Sequence, residues 1–164
     1  MDINLQPYDY EVLKPNYYAF TTVSGDIYEC YFLPYGEYFP YHLDIAPFIF
    51  GFNLHLLSKP LQNKGVDKRI ADTVIMIVGG FLEAQNNAMI YVCDNSDGKE
   101  KARARKFKSW FDYYAHPSHQ ITRITQSFEV GGMTIHSAML IHNKNKRKME
   151  FVDAYFSFVD DENK

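Results

Sequence analysis

The chain has little of several things that would place it quickly. Only two of its 164 residues are cysteine, at positions 30 and 93. Each sits inside a strand-like apolar run, so two half-buried free thiols are expected rather than a disulfide scaffold. No apolar run approaches the ~20 residues that a membrane-spanning helix needs. The most apolar helical stretch, 70–82, is interrupted by Asp72 and two glycines. The amino terminus carries an early aspartate and no basic segment leading into an apolar one, which argues against a secretion signal. A large excess of charge is missing too. The formal net charge of −3 gives no global nucleic-acid signature, so any basic surface has to be local. Gly-x-Ser-x-Gly, Walker and Cys–His nucleophile patterns are absent. Together these absences point to a cytoplasmic protein with no membrane partner and no conventional catalytic motif.

What the chain does have is aromatic area, with thirteen tyrosines and thirteen phenylalanines against a single tryptophan. That is enough to build a real core in one domain covering 1–164. Residues 1–16 read as an irregular arm laid on the body. Runs 17–23 and 27–33 flank Ser24-Gly25-Asp26 and make a hairpin. A loop with three prolines and one glycine covers 34–47. In the strand 49–57 the even positions are uniformly apolar, and Gly51 implies a bulge or a close backbone approach. Residues 66–84 have helical periodicity, with Asp67 placed to cap. A strand at 89–93, a polar turn at 94–98 and a basic helix at 99–114 follow. Runs 121–130, 133–142 and 148–158 read as three closing strands, and 159–164 as an acidic tail. The expected class is α+β. It is a single mixed, mostly antiparallel sheet of six or seven strands with two main helices, in the order β-β-β-α-β-α-β-β-β.

Gln62, Gly65 and Val66 precede the first helix in the segment Gln62-Asn63-Lys64-Gly65-Val66-Asp67, and Ala104 and Phe107 lie in the second helix. On these residues and on the element order, the chain resembles the core of the GCN5-related N-acyltransferase fold from its second strand onward. The resemblance implies acetyl-CoA as cofactor, held by Gln62, Gly65, Val66 and Lys68 at the start of the first helix. Three positions depart from the family pattern. Asp67 stands where a small residue is usual, Lys101 replaces an asparagine, and Lys108 replaces the tyrosine that serves the family as general acid. The strand, Asp/Ser/Gly loop and basic helix also look similar to small uncharacterised bacterial proteins, which implies no activity.

Three further stretches are candidates for contact. At the start of the basic helix, Lys99, Lys101, Arg103, Arg105, Lys106 and Lys108 stand against one acid, Glu100. A solvated helix face is one reading, and capture of an anionic ligand or partner protein is the other. Helical spacing puts Arg103 beside Phe107 and Trp110, where a cation must snorkel, stack or find an anion. A turn acid, Asp94, belongs to the same edge. Its loop does not have the spacing of an EF-hand, so turn and capping chemistry is expected there. The aromatic loop with Tyr38 and Tyr41 either closes over the sheet or forms a binding lip. His136 and His142 share a strand face but stand ~20 Å apart at ~3.3 Å per residue, too far to hold one metal ion. The expected function is a small binding or interaction module using the Asp94–Arg105 edge and the aromatic loop. An acyl-CoA-dependent N-acyltransferase is the second reading, and an RNA- or phosphate-binding regulator acting through the basic helix is the third.

Overall fold

The computed structural model describes residues 4–58, 65–93, 100–114 and 120–162. Strands β1 (Tyr10–Lys14), β2 (Tyr17–Thr21), β3 (Ile27–Pro34) and β4 (Ile49–Leu56) form an antiparallel meander. Helix α1 (Lys68–Leu82) crosses over to β5 (Ala88–Cys93), which lies parallel to β4. Helix α2 (Glu100–Tyr114) then leads to the hairpin β6 (Ile121–Val130) and β7 (Met133–His142), and helix α3 (Lys148–Glu162) follows it. The seven strands make one sheet in the order β1-β2-β3-β4-β5-β7-β6, because β7 inserts between β5 and β6. The α+β class and the mixed, mostly antiparallel sheet are as expected.

Two cores sit on the two faces of the sheet, and period-two alternation sorts side chains between them. Along β5, Met89, Tyr91 and Cys93 point to the α1/α2 face, and Ala88 and Ile90 to the other. On the first face Phe81 of α1 stacks on Phe32 at 3.9 Å between ring centroids, and Phe111 of α2 is fully buried. On the second face Phe151, Ala154 and Tyr155 of α3 pack with Phe39, Ile45 and Phe128. The 34–48 loop, which holds two short 3-10 helices (Gly36–Tyr38 and Ala46–Phe48), therefore closes over the sheet through Phe39 and Ile45. Gly51 is a close approach rather than a bulge, since a Cβ there would stand 2.6 Å from the Tyr35 ring. The glycines at 131 and 132, at φ of 57° and 78°, let the last hairpin reverse in two residues. Both cysteines are buried and neither is in a disulfide, and burial pushes the Cys30 thiol up.

Three expectations need correction. The run at 148–158 is helix, not strand. Phe151, Ala154, Tyr155 and Phe158 recur at three- and four-residue spacing, and that stripe covers a sheet face that no other α-helix among the described residues packs on. The same helix runs on to Glu162, so most of the acidic tail is its last turn. The amino-terminal arm is irregular only in part, because Tyr10–Lys14 pairs with β2 as an edge strand. Its earlier residues do lie on the body. The backbone N–H groups of Gln6 and Tyr8 donate to Asp72 Oδ2 (3.0 Å) and Thr73 Oγ1 (2.9 Å). The Arg69 guanidinium donates to the carbonyls of Gln6 and Pro7, both at 3.1 Å.

Candidate functional site

Strands β4 and β5 pair through only three residues each, from Ile49 with Ala88 to Gly51 with Ile90. β4 continues to Leu56 and β5 to Cys93, so the two strands part. α2 covers the gap. Its Phe107 and Phe111 meet Phe52 of β4 at 6.2 and 6.1 Å and Tyr91 of β5 at 5.3 and 5.4 Å. With these rings turned to the sheet, the two flanks of α2 face open concavities.

One is a cleft of about 760 Å³ between α2 and the amino end of α1. Gly65, Val66 and Lys68 line one wall, Lys106, Ser109 and Trp110 the other, and Tyr28, Ile70 and Ile75 complete it. Gly65 has φ of 74°, a left-handed turn into the helix that suits glycine. Asp67 caps α1 by accepting from the Arg69 N–H at 3.0 Å, as its position in the sequence implied. Its other carboxylate oxygen accepts from the Tyr8 hydroxyl at 2.6 Å. The buried Asp72 carboxylate is paired with Lys68 Nζ at 3.0 Å. Both acids of the cleft are thus committed to protein partners. The Lys106 ammonium lies over the Trp110 ring, 4.9 Å from its centroid, and desolvation there draws it below the ordinary lysine range. Burial raises the Tyr28 hydroxyl above its ordinary value, with Asp26 and Asp67 adding to it.

The other concavity is a groove of about 420 Å³ between α2 and the β6–β7 hairpin. Lys101 and Arg105 stand on its helix side, which is where two of the expected contact residues lie. Arg103 is half-buried between the flanks. Lys108 faces this groove and not the cleft. Tyr38 packs on Tyr35 and Phe158, and Tyr41 is 87% exposed. Their loop covers the opposite face of the sheet, so the basic edge and the aromatic loop do not form one surface. Asp94 and Gln62 lie outside the described residues. The sequence alone did not single out Trp110, Ser109 or Tyr28 as cleft residues. Lys106, Ser109 and Trp110 do recur at helical spacing, and that was the available signal.

Among the described residues, no group of three His, Cys, Asp or Glu side chains could hold a metal ion, and no helix is long and apolar enough to cross a membrane.

The architecture is that of a small α+β chain with a seven-stranded mixed sheet and two clefts flanking one basic helix. Residues 66–157, more than half of the chain, match the model of a family of unknown function, DUF6169, and the chain belongs to that family. No curated protein and no solved structure matches it.

Proposed function

We propose that this protein is a small binding module whose cleft at the amino end of α1 takes an acyl-coenzyme A or a close analogue. The observation that carries the reading is the cleft itself, which opens between Tyr28, the amino end of α1 and a flank of α2, the helix that covers the parted strands. The lining suits such a ligand in kind. Trp110 and Tyr28 offer flat faces for a purine ring, Ile70 and Ile75 an apolar wall for the pantetheine arm, and Lys106 a cation for phosphate. Asp67 does not oppose the ligand as a bare charge would, because its two oxygens are held by Arg69 and Tyr8.

A second reading, a divergent N-acyltransferase, draws on the strand order. An antiparallel meander leads into a parallel pair and a closing hairpin, as in the family that the sequence resembles. It needs a proton donor for the departing thiolate, and Lys108 cannot serve from the far flank of α2. Titration calorimetry with acetyl-CoA and coenzyme A tests the first reading. Saturable heat, weakened at least tenfold by Trp110→Ala or Lys106→Ala, is expected; no heat at millimolar ligand overturns it. Release of free thiol from acetyl-CoA in the presence of amines, read with a thiol reagent, separates the two readings. Binding without release supports the module, and sustained release supports the transferase.

A further inference from the structure

We infer that the groove between α2 and the β6–β7 hairpin is an anion site for a small phosphate monoester, separate from the cleft at α1. The sheet side of the groove follows from register. Arg123, Thr125 and Ser127 alternate along β6 and so share one face, and His136 stands directly opposite Ser127 on β7. Ser127 Oγ and His136 Nδ1 are 2.9 Å apart, so these two side chains are held together. The helix side follows from spacing. Lys101, Arg105 and Lys108 are four and three residues apart and present their cations along one stripe.

Arg123 anchors the floor. Its side chain is only 10% exposed, and its Nε and Nη2 donate to the Tyr91 hydroxyl at 3.1 and 3.0 Å. Nη1 is paired with Asp112 at 2.8 Å, and Lys108 bonds to the same carboxylate. A guanidinium has five N–H donors, so Arg123 keeps two beyond these three bonds and holds them in a fixed plane. Burial raises the Tyr91 hydroxyl, against which the Arg123 bond works, and it stays a neutral partner at physiological pH.

The charge balance calls for an anion. Four cations bound the groove, Asp112 offsets one of them, and no carboxylate lines it among the described residues. This local excess sits on a chain whose formal net charge is −3, and a concave surface lined by one sign of charge focuses its field. Hydroxyl donors from Thr125 and Ser127 together with lysine and arginine are the donor set that a phosphate dianion satisfies. Size and shape favour a small ligand over nucleic acid. The groove is about 420 Å³, and no exposed aromatic ring lines it as a stacking platform for bases. All of its lining residues fall inside the span that matches the family model, whereas the α1 cleft draws also on Tyr28 and Gly65 outside it.

The test uses the full chain, with inorganic phosphate and glycerol phosphate as probes and a mixed-sequence single-stranded RNA for comparison. Phosphorus NMR titration should show saturable binding of both phosphates. Lys101→Ala with Arg105→Ala should weaken it at least tenfold, while Lys146→Ala, an exposed lysine elsewhere, leaves it unchanged. Ser127→Ala should weaken it severalfold without altering the thermal midpoint. Equal binding by all variants, or none by the wild type, overturns the site. RNA binding far tighter than that of either phosphate overturns the small-ligand assignment. Neither result touches the α1 cleft, whose residues are intact in every variant.

Discussion

Tyr155 gives the sharpest test of how the second core is built, because one substitution is expected to change sign with pH. The side chain is fully buried, and its hydroxyl lies 2.7 Å from Ser137 Oγ. Burial, with a smaller push from Tyr91, drives its pKa up to about 12 against the pull of Ser137 and Arg123. An unfolded tyrosine ionises near ~10. Below that pH both states keep the proton and the hydroxyl contributes fully. As pH rises from 10 to 12 the unfolded chain loses the proton first, so it binds fewer protons than the native state and stability falls. At ~1.4 kcal/mol per pKa unit, the loss approaches ~2–3 kcal/mol across the window. Tyr155→Phe removes this slope together with one hydrogen bond, at a cost of about 0.5–1.5 kcal/mol at neutral pH. The variant should therefore be less stable at pH 8, equal to the wild type near pH ~11, and more stable above it. Urea unfolding followed by helical circular dichroism at four or five pH values measures the difference. Tyrosines that do not act on Tyr155, the half-buried Tyr28 among them, titrate in both proteins and cancel, while the smaller Tyr91 coupling is part of the slope that the variant removes. A gap that stays constant from pH 8 to 11.5 would refute the reasoning.

Two further outcomes concern β4 and the amino end of α1. Gly51→Ala places a methyl 2.6 Å from the half-buried Tyr35 ring and should destabilise by about 1–3 kcal/mol, with Tyr35→Leu in the same chain recovering part of it in denaturant melts. Asp67→Ala removes the α1 cap and the acceptor of the Tyr8 hydroxyl. A loss of about 0.5–2 kcal/mol is expected from the cap alone, and Asp67→Asn should restore much of it. An alanine variant as stable as wild type would mean that the amino end of α1 is held by the arm at Gln6 and Tyr8 instead.

The parts that were legible in the sequence are those whose signal is local. Ser24-Gly25-Asp26 and Gly131-Gly132 marked the reversals of two hairpins, and both appear with glycine at positive φ. Asp67 before an apolar-periodic run marked the start of α1, and its carboxylate accepts a backbone N–H there. The misread elements carried mixed signals. In 148–158 phenylalanine, tyrosine and valine are good strand formers, and they outweighed the spacing of Phe151, Ala154, Tyr155 and Phe158. The sheet decides that case, because among the described residues its second face has no other α-helix to cover it. β1 was hidden for the opposite reason. All five of its residues are exposed, so no alternation of burial distinguishes it from a loop.

For the sites, the acyltransferase resemblance is what singles out Gly65, Val66 and Lys68, and a charged stripe is what singles out Lys101 with Arg105. What each of them faces depends on which helix crosses which strand. The parting of β4 and β5 decides it, since an open wedge between parallel strands must be filled if the core is to stay dry. α2 fills it with Phe107 and Phe111, which fixes the rotation of the helix about its axis. Once that rotation is set, Lys106, Ser109 and Trp110 must turn toward α1, and Lys101, Arg105 and Lys108 toward β6. A sequence window around α2 shows that it is basic and amphipathic. Only the wedge shows that its cations are shared between a cleft whose two acids are bonded to protein donors and a groove where, among the described residues, four cations face one carboxylate. On the two proposals made above, those surroundings select different ligands, and the same helix serves both sites without either competing for the other's charge.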